Sequence, residues 1–351
     1  MYWKTDTIEI PGWDRSSLLE TVVRFNPSRN DGLGDDMVAY CRFYGLDLWV
    51  EYPEVEYHQG YVDAEKHQVM VHYFRLPQNV ERENKGTVFI FHGYFDHVGL
   101  YSQLIERCLG EGFDVLAYDQ PGHGLSSGTP ASIGSFLEYQ AVLTDVMENV
   151  RDKVRGPWFA VGQSTGGAIM IDYLLTNHHT PDTSDFRRVV LLAPLIRPAG
   201  WLGAKALHSL VKPFASRWRR AFAVNSSDSR FLEFLKDYDP LQARAVHVDW
   251  VSALRQWVPH IESARPVNFP VTVIQGKKDN TVDWPHNLRI IRNKFSSVEE
   301  RLIPDGRHHL VNEAKDLQAA VFNAIIDTFD QHPDGPAFSG PANKPKTGRM
   351  P

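Results

Sequence analysis

Six short apolar runs, separated by segments long enough to form helices, constrain the fold of this chain more than any other feature. They lie at 87–91, 114–118, 158–161, 188–192, 271–274 and 298–303. Strands that are apolar on both faces are typical of parallel sheets with helices on both sides. Two earlier segments, near Tyr57–Tyr61 and Val69–Tyr73, alternate instead and predict a hairpin. The sequence therefore predicts an α/β fold with a mostly parallel central sheet.

The regular alternation of strands and helices is interrupted once, between Pro194 and Pro266, where we find no convincing strand. This segment is rich in aromatic residues: Trp201, Trp218, Trp250, Trp257, Phe214, Phe222, Phe231 and Phe234. A length of about 70 residues exceeds that of ordinary connections. We therefore expect a helical cap at 197–266, inserted into a core formed by 54–196 and 267–330. Most of its aromatic residues are expected to pack the cap against the sheet.

The two ends of the chain differ from the core in pattern. Helical spacing at Ser16–Arg24 and Asp35–Tyr44, with turn residues between them, predicts an N-terminal helical extension at 1–53. Residues 331–351 are rich in proline, glycine and lysine and are predicted to be disordered.

Composition and charge limit the partners and the compartment. The net charge is −6, and no Lys/Arg run is dense enough to follow a phosphate backbone, so nucleic acid is not an expected partner. Only two cysteines occur, which favours a reducing compartment. No signal-peptide pattern and no apolar run of about 20 residues is present. We therefore expect a cytoplasmic protein without a transmembrane segment, and contact with a membrane surface stays open.

A candidate nucleophile lies in the sequence Gly162-Gln163-Ser164-Thr165-Gly166, between the third apolar run and a helix predicted at Gly167–Thr176. A serine at a sharp strand-to-helix turn presents its hydroxyl above the sheet. Glycines at 162 and 166 fit this turn, because side chains there would collide with the neighbouring strand or helix. The alternative is an ordinary glycine-rich turn.

A serine hydroxyl becomes a good nucleophile when a histidine, itself oriented by a carboxylate, takes its proton. In strand–turn–helix sites the chain order is serine, acid, histidine. Asp279 follows the fifth run at the carboxyl edge of the sheet and is the candidate acid, with Asp283 as the fallback. His308 and His309 both follow the sixth run and compete as the base. The other histidine would be a solvated loop residue or would begin a helix.

Two backbone N–H groups are expected to stabilise the oxyanion. One belongs to Thr165 and the other to Tyr94, where Gly93 permits a tight turn and the tyrosine side chain can also line the pocket. The loop that begins at Asp119 is predicted to be a structural corner beside the site. His123 in this loop is expected to be a hydrogen-bonded structural residue, because the catalytic histidine must follow the acid.

Together these motifs resemble the monoacylglycerol lipase / lysophospholipase branch of the α/β-hydrolases, which includes serine aminopeptidase S33-like proteins. The resemblance covers residues 55–328 and is carried by His92-Gly93 with Asp96-His97, Asp119–Ser126, Gly162–Gly167, Gly276–Asp279 and Arg307–Glu313. The family pattern Arg-His-x-Leu-x-Asn-Glu places the base at His308, and Asp279 matches the family's acid. Asp239-Pro240-Leu241 also resembles a family pattern. Thr165 departs from the methionine that is frequent after the serine.

The resemblance implies a serine hydrolase that cleaves carboxylic esters, with a monoacylglycerol or a lysophospholipid as the expected substrate class. An aminopeptidase or acyltransferase of the same fold and a catalytically silent ligand-binding member are the alternatives. No metal or organic cofactor is expected, because the sequence lacks the motifs that hold them. The oligomeric state stays open. We also expect His308→Ala to abolish turnover and His309→Ala to leave most of it.

Overall fold

The computed structural model describes residues 12–29, 32–77 and 84–331. Its strands are β1 (Glu56–Ala64), β2 (His67–Arg75), β3 (Thr87–Phe91), β4 (Asp114–Tyr118), β5 (Trp158–Gln163), β6 (Phe186–Leu192), β7 (Arg217–Arg219), β8 (Ala245–His247), β9 (Val267–Gly276) and β10 (Phe295–Ile303). Eight of them form one sheet in the order β1-β2-β4-β3-β5-β6-β9-β10. Strand β2 is antiparallel to both neighbours, and the strands from β4 to β10 in this order are parallel. The predicted fold class and hairpin are confirmed.

Helices cover both faces of this sheet. They are α1 (Arg15–Thr21), α2 (Asp35–Tyr44), α3 (Ser102–Gly110), α4 (Phe136–Val150), α5 (Thr165–Thr176), α6 (Trp201–Val211), α7 (Ser229–Glu233), α8 (Val248–Ser263), α9 (Trp284–Lys294) and α10 (Lys315–Asp330). Alternate residues of β3 enter different cores: Phe89 and Phe91 join the cluster of α4, α5 and α8, while Val88 and Ile90 join that of α2, α3 and α10. No helix of the described ranges has the length and apolar character needed to cross a bilayer.

Residues 197–266, called the cap below, contain α6, α7 and α8. The prediction that this segment lacks strands is wrong, because β7 and β8 pair antiparallel within it. Each of these strands has three residues, which is too short to show an alternating pattern. Tryptophans of α8 anchor the cap to the core: Trp257 Nε1 donates to Asp172 Oδ2 at 3.0 Å, and Trp250 Nε1 donates to Tyr139 Oη at 3.2 Å.

The helices of residues 12–53, called the N-terminal extension below, pack directly on the core. Leu18, Tyr40 and Tyr44 are completely buried, in the same cluster as side chains of β3 and β4. Helix α1 ends at Thr21, three residues earlier than predicted, because the following chain pairs with β1 through hydrogen bonds to both backbone groups of Tyr61. Apart from Gln331, the tail predicted to be disordered lies outside the described residues.

Candidate active site

Ser164 lies at the turn between β5 and α5 in a strained backbone conformation, with φ of 52° and ψ of −109°. Its N–H donates to the carbonyl of Leu192 on the neighbouring strand at 2.8 Å. A Cβ on Gly162 would lie 2.5 Å from the carbonyl oxygen of Gly166, and a Cβ on Gly166 would lie 2.0 Å from that of Phe91. The turn therefore has no space for a side chain at either glycine.

Three side chains from distant parts of the sequence meet above the carboxyl edge of the sheet. His308 Nε2 lies 3.0 Å from Ser164 Oγ, and His308 Nδ1 lies 2.8 Å from Asp279 Oδ2. Since a carboxylate only accepts, Nδ1 carries a proton, and Nε2 is then free to accept the serine proton. All three residues are buried.

The carboxylate of Asp279 is held in one orientation by several donors. Its Oδ1 accepts from the N–H groups of Thr281 at 2.7 Å and Val282 at 3.2 Å, and its Oδ2 also accepts from Gln275 Nε2 at 3.0 Å. Burial alone would raise the pKa of Asp279, but the charge and hydrogen bond of His308 lower it below the ordinary value. The acid is therefore ionised at neutral pH and can orient the imidazole.

Backbone contacts hold the loop that carries His308. Its N–H donates to the carbonyl of Asn225 in the cap at 3.0 Å, and its carbonyl accepts from Gln163 Nε2 at 2.9 Å. The carboxylate of Glu313 accepts the N–H of Arg307. The hydrogen bond between Glu313 and Arg307 therefore links the two ends of the Arg-His-x-Leu-x-Asn-Glu segment, and the hydrogen bond from His308 to Asn225 links this segment to the cap.

The two competing candidates lie elsewhere. Asp283 caps α9, where its Oδ1 accepts the N–H of His286 at 3.4 Å, and within the described ranges it forms no hydrogen bond with His308. His309 is only 2% exposed, and its Nε2 lies 3.2 Å from Asp96 Oδ1. The expectation of a solvated residue at His309 is therefore wrong, although His309 does precede the 3₁₀ helix Leu310–Asn312.

The residues predicted to supply the oxyanion donors are Thr165, which follows the serine, and Tyr94, which follows Gly93. The N–H of Thr165 is the first in α5, and the first N–H groups of a helix have no partner within it. The N–H of Tyr94 makes no hydrogen bond to the described residues. A Cβ on Gly93 would lie 3.4 Å from Ser164 Cβ and 2.8 Å from Asp96 Oδ2. The loop Gly93–His97, called the oxyanion loop below after its predicted role, therefore lies beside the serine.

The predicted corner beside the site is built around Asp119. Its Oδ1 accepts the N–H of Val98 at 2.8 Å, and its Oδ2 accepts that of Leu125 at 2.7 Å. His123 Nδ1 donates to the carbonyl of Pro121 at 3.0 Å. Burial lowers the pKa of His123 to about 3, so its imidazole is neutral. These contacts support a structural role for His123.

Sequence reasoning assigned no role to two further pairs around the oxyanion loop. Tyr101 Oη donates to Asp96 Oδ2 at 2.9 Å, and His97 Nε2 lies 3.0 Å from Asp239 Oδ2. The residues of the second pair are 142 positions apart. The motifs containing Asp96, His97 and Asp239 were visible in the sequence, but nothing in their spacing indicates these pairings.

The parallel sheet, the turn at Ser164 and the inserted helices define an α/β-hydrolase fold. Residues 82–315 match the family described as serine aminopeptidase, S33, and the chain belongs to this family. It is 31% identical to the monoacylglycerol lipase of Mycolicibacterium smegmatis, over 72% of this chain and 90% of that protein. It is 29% identical to the human monoglyceride lipase, over 69% of this chain and 81% of that protein.

A solved structure shows the same fold. A soluble variant of the monoglyceride lipase from Saccharomyces cerevisiae aligns with a TM-score of 0.64 at 18% identity, over 78% of this chain and 94% of that one. The resemblance to the monoacylglycerol lipase branch is confirmed, and the protein is a carboxylic ester hydrolase.

Proposed function

We propose that the protein hydrolyses monoacyl lipid esters, such as monoacylglycerols or lysophospholipids, through an acyl-enzyme on Ser164. The observation that carries this proposal is the continuous hydrogen-bonded series from Ser164 Oγ through His308 to Asp279, with distances of 3.0 and 2.8 Å. The names of the relatives support a lipid ester as the substrate class.

The reaction proceeds by two acyl transfers. His308 Nε2 takes the proton of Ser164 while Oγ attacks the ester carbonyl, and the N–H groups of Thr165 and Tyr94 stabilise the oxyanion. The C–O bond to the alcohol then breaks, and His308 protonates the leaving oxygen. Water, deprotonated by the same imidazole, attacks the acyl-enzyme. The C–O bond to Ser164 then breaks, the imidazolium returns its proton to Oγ, and the acid is released. Asp279 stays ionised and stabilises the imidazolium.

Labelling with a fluorophosphonate probe tests the nucleophile. Ser164→Ala is expected to lose both the label and the hydrolysis of p-nitrophenyl esters. The control is Ser229→Ala, a change at an exposed serine at the start of α7, which is expected to retain both. Labelling of Ser164→Ala at the wild-type level would contradict the proposal.

A substrate panel tests the lipid assignment. We expect kcat/KM to be higher for monoacylglycerols and lysophospholipids than for an aminoacyl anilide. Faster turnover of the anilide would favour an aminopeptidase. Transfer of the acyl group to an added alcohol in preference to water would favour an acyltransferase, and labelling without turnover of any ester would favour a silent member.

The cap has a face suited to contact with a lipid surface. Apolar side chains on and after α6 are exposed: Leu202 by 76%, Leu207 by 49%, Leu210 by 69% and Phe214 by 86%. Lys212, Arg217 and Arg219 are exposed in the same segment, and 186–227 contains no aspartate or glutamate although the whole chain has a net charge of −6. We infer that this face binds an anionic lipid surface that presents the substrate.

Sedimentation with vesicles tests this membrane contact. The protein is expected to bind vesicles that contain phosphatidylglycerol more strongly than vesicles of phosphatidylcholine alone. Phe214→Ser is expected to weaken binding without changing hydrolysis of a soluble ester. The matched control is Leu137→Ser on α4, where the leucine is 60% exposed. Equal binding by Phe214→Ser and the wild type would refute the assignment of this face.

A further inference from the structure

One buried carboxylate joins the N-terminal extension, the cap and the oxyanion loop. Asp239 Oδ1 accepts from Tyr44 Oη at 2.7 Å and from the N–H of Leu241 at 3.0 Å. Its Oδ2 lies 3.0 Å from His97 Nε2 and accepts from Gln242 Nε2 at 2.9 Å. Tyr44 ends α2 of the extension, Asp239 belongs to the cap, and His97 ends the oxyanion loop. The carboxylate therefore links three parts that are far apart in sequence.

The ring of Tyr44 also packs closely against its neighbours, in addition to the hydrogen bond made by its hydroxyl. It packs edge-to-face on His97, with ring centroids 4.8 Å apart. A Cβ on Gly99 would lie only 2.6 Å from Tyr44 Cγ, so the chain after the oxyanion loop has a glycine where the tyrosine packs. Phe43 also contacts Phe234 of the cap, with centroids 5.8 Å apart. The N-terminal extension therefore packs closely against both the cap and the chain that follows the oxyanion loop.

The oxyanion loop depends on these contacts for its position. Gln242, which binds Asp239, also donates from Nε2 to the carbonyl of Phe95 at 3.0 Å. Since Tyr44, Asp239 and His97 are all buried, water cannot replace a lost hydrogen bond without rearrangement. Loss of the Tyr44 hydroxyl would leave the carboxylate short of one donor and allow its other partners to shift.

We propose that Tyr44 is a positioning residue for the oxyanion loop, which it holds in place through Asp239 and His97. The N-terminal extension is then part of the working enzyme, although the match to the family begins only at residue 82. This inference rests on the proposed function, in which the N–H of Tyr94 binds the oxyanion. A small displacement of such a donor reduces the binding free energy of the transition state more than that of the substrate.

Tyr44→Phe tests the inference, because it removes one hydroxyl and keeps the ring. We expect kcat to fall about tenfold while KM changes little, because a misplaced oxyanion donor mainly reduces the stabilisation of the transition state. The inhibition constant of a boronic acid analogue of the tetrahedral intermediate should rise by the same factor.

The matched control is Tyr40→Phe on the same helix. Tyr40 is completely buried, and its hydroxyl has no hydrogen-bond partner among the described residues. This variant is expected to keep the wild-type kcat and the wild-type inhibition constant. An equal loss in Tyr40→Phe and Tyr44→Phe, or wild-type kcat and inhibition in Tyr44→Phe, would overturn the inference.

A double-mutant cycle supplies a second measurement. Once His97→Gln has weakened the link to the loop, Tyr44→Phe is expected to lower kcat by much less than tenfold. Full additivity of the two losses would contradict positioning through this path. Failure of the proposed function has a different signature, which is retention of hydrolysis by Ser164→Ala.

Discussion

Two adjacent histidines after β10 have different partners. His308 contacts Ser164 and Asp279, whereas His309 lies 3.2 Å from the Oδ1 of Asp96. Asp96 also accepts from the N–H of Gly93 at 3.3 Å, within the oxyanion loop. Burial would raise the pKa of Asp96, but the nearby charge of His309 and the hydrogen bond from Tyr101 hold it below the ordinary range. His309 therefore links the loop that carries His308 to the oxyanion loop.

These contacts sharpen the expected difference between the two histidines. His308→Ala removes the proposed base and is expected to lower kcat by about 10⁴-fold. His309→Ala removes the imidazole beside Oδ1 of the buried Asp96, which keeps only the donors to its Oδ2, and is expected to lower the free energy of unfolding by about 2–3 kcal/mol. The sequence predicted that this second variant keeps most of its turnover, but its fold will be less stable. Ester hydrolysis and urea unfolding provide the two measurements, and wild-type stability of His309→Ala would contradict the role of the pair.

The lowered pKa of Asp279 makes stability depend on pH. A carboxyl group whose pKa is lower in the folded state stabilises the fold above its unfolded pKa, here 3.8, and this contribution is lost as the pH falls through the folded value. The difference in free energy of unfolding between wild type and Asp279→Asn should therefore shrink below pH 3.8. Urea titrations at several pH values measure it. A difference that stays constant through this range would contradict the assignment.

The turn between β5 and α5 depends on close contact between backbones. Gly166→Ala would place a Cβ 2.0 Å from the carbonyl oxygen of Phe91 on β3. We expect this change to lower the free energy of unfolding by more than about 3 kcal/mol and to displace Ser164. Gly203→Ala on α6 is the control, because no atom lies within 4 Å of its added Cβ and alanine favours a helix by about 1 kcal/mol. Equal midpoint temperatures of thermal unfolding for Gly166→Ala and Gly203→Ala would refute this explanation of the turn.

The short strands of the cap illustrate why some elements escape sequence analysis. Strands such as β3 and β5 are buried throughout and mostly apolar, and they lie between helix-length segments, so their pattern is visible locally. Strands β7 and β8 have three residues each, and exposed arginines occupy both ends of β7. Strands β7 and β8 pair because the folding of the residues between them brings them together. No pattern within either three-residue segment predicts this pairing.

At the scale of the whole molecule, the extension completes one of the two cores. Leu18, Met37, Tyr40 and Phe43 are at most 1% exposed and lie in the cluster of β3, β4, α3 and α10. Deletion of residues 1–53 is therefore expected to abolish cooperative unfolding and ester hydrolysis. Deletion of 332–351, which the composition predicts to be disordered, is the control and should change neither. Circular dichroism during heating measures the unfolding, and an ester assay measures the hydrolysis. A 54–351 chain that is stable and active would contradict this dependence.

The sequence alone determined the sheet, the helices that cover it, and Ser164 as the candidate nucleophile. These features are encoded within a few neighbouring residues, because burial on both faces of a strand and the steric demands of a tight turn leave local patterns. The order of serine, acid and histidine narrowed the remaining candidates to Asp279 or Asp283 and to His308 or His309. The family pattern then favoured His308.

Tertiary structure alone decided which side chains meet. The contact of Ser164 with His308 spans 144 positions, and that of Tyr44 with Asp239 spans 195. Such pairs depend on how whole elements pack, since a buried carboxylate takes whichever donors the packing brings to it. For this reason the partner of His309, the strands of the cap and the link from the extension to the oxyanion loop became visible only in three dimensions.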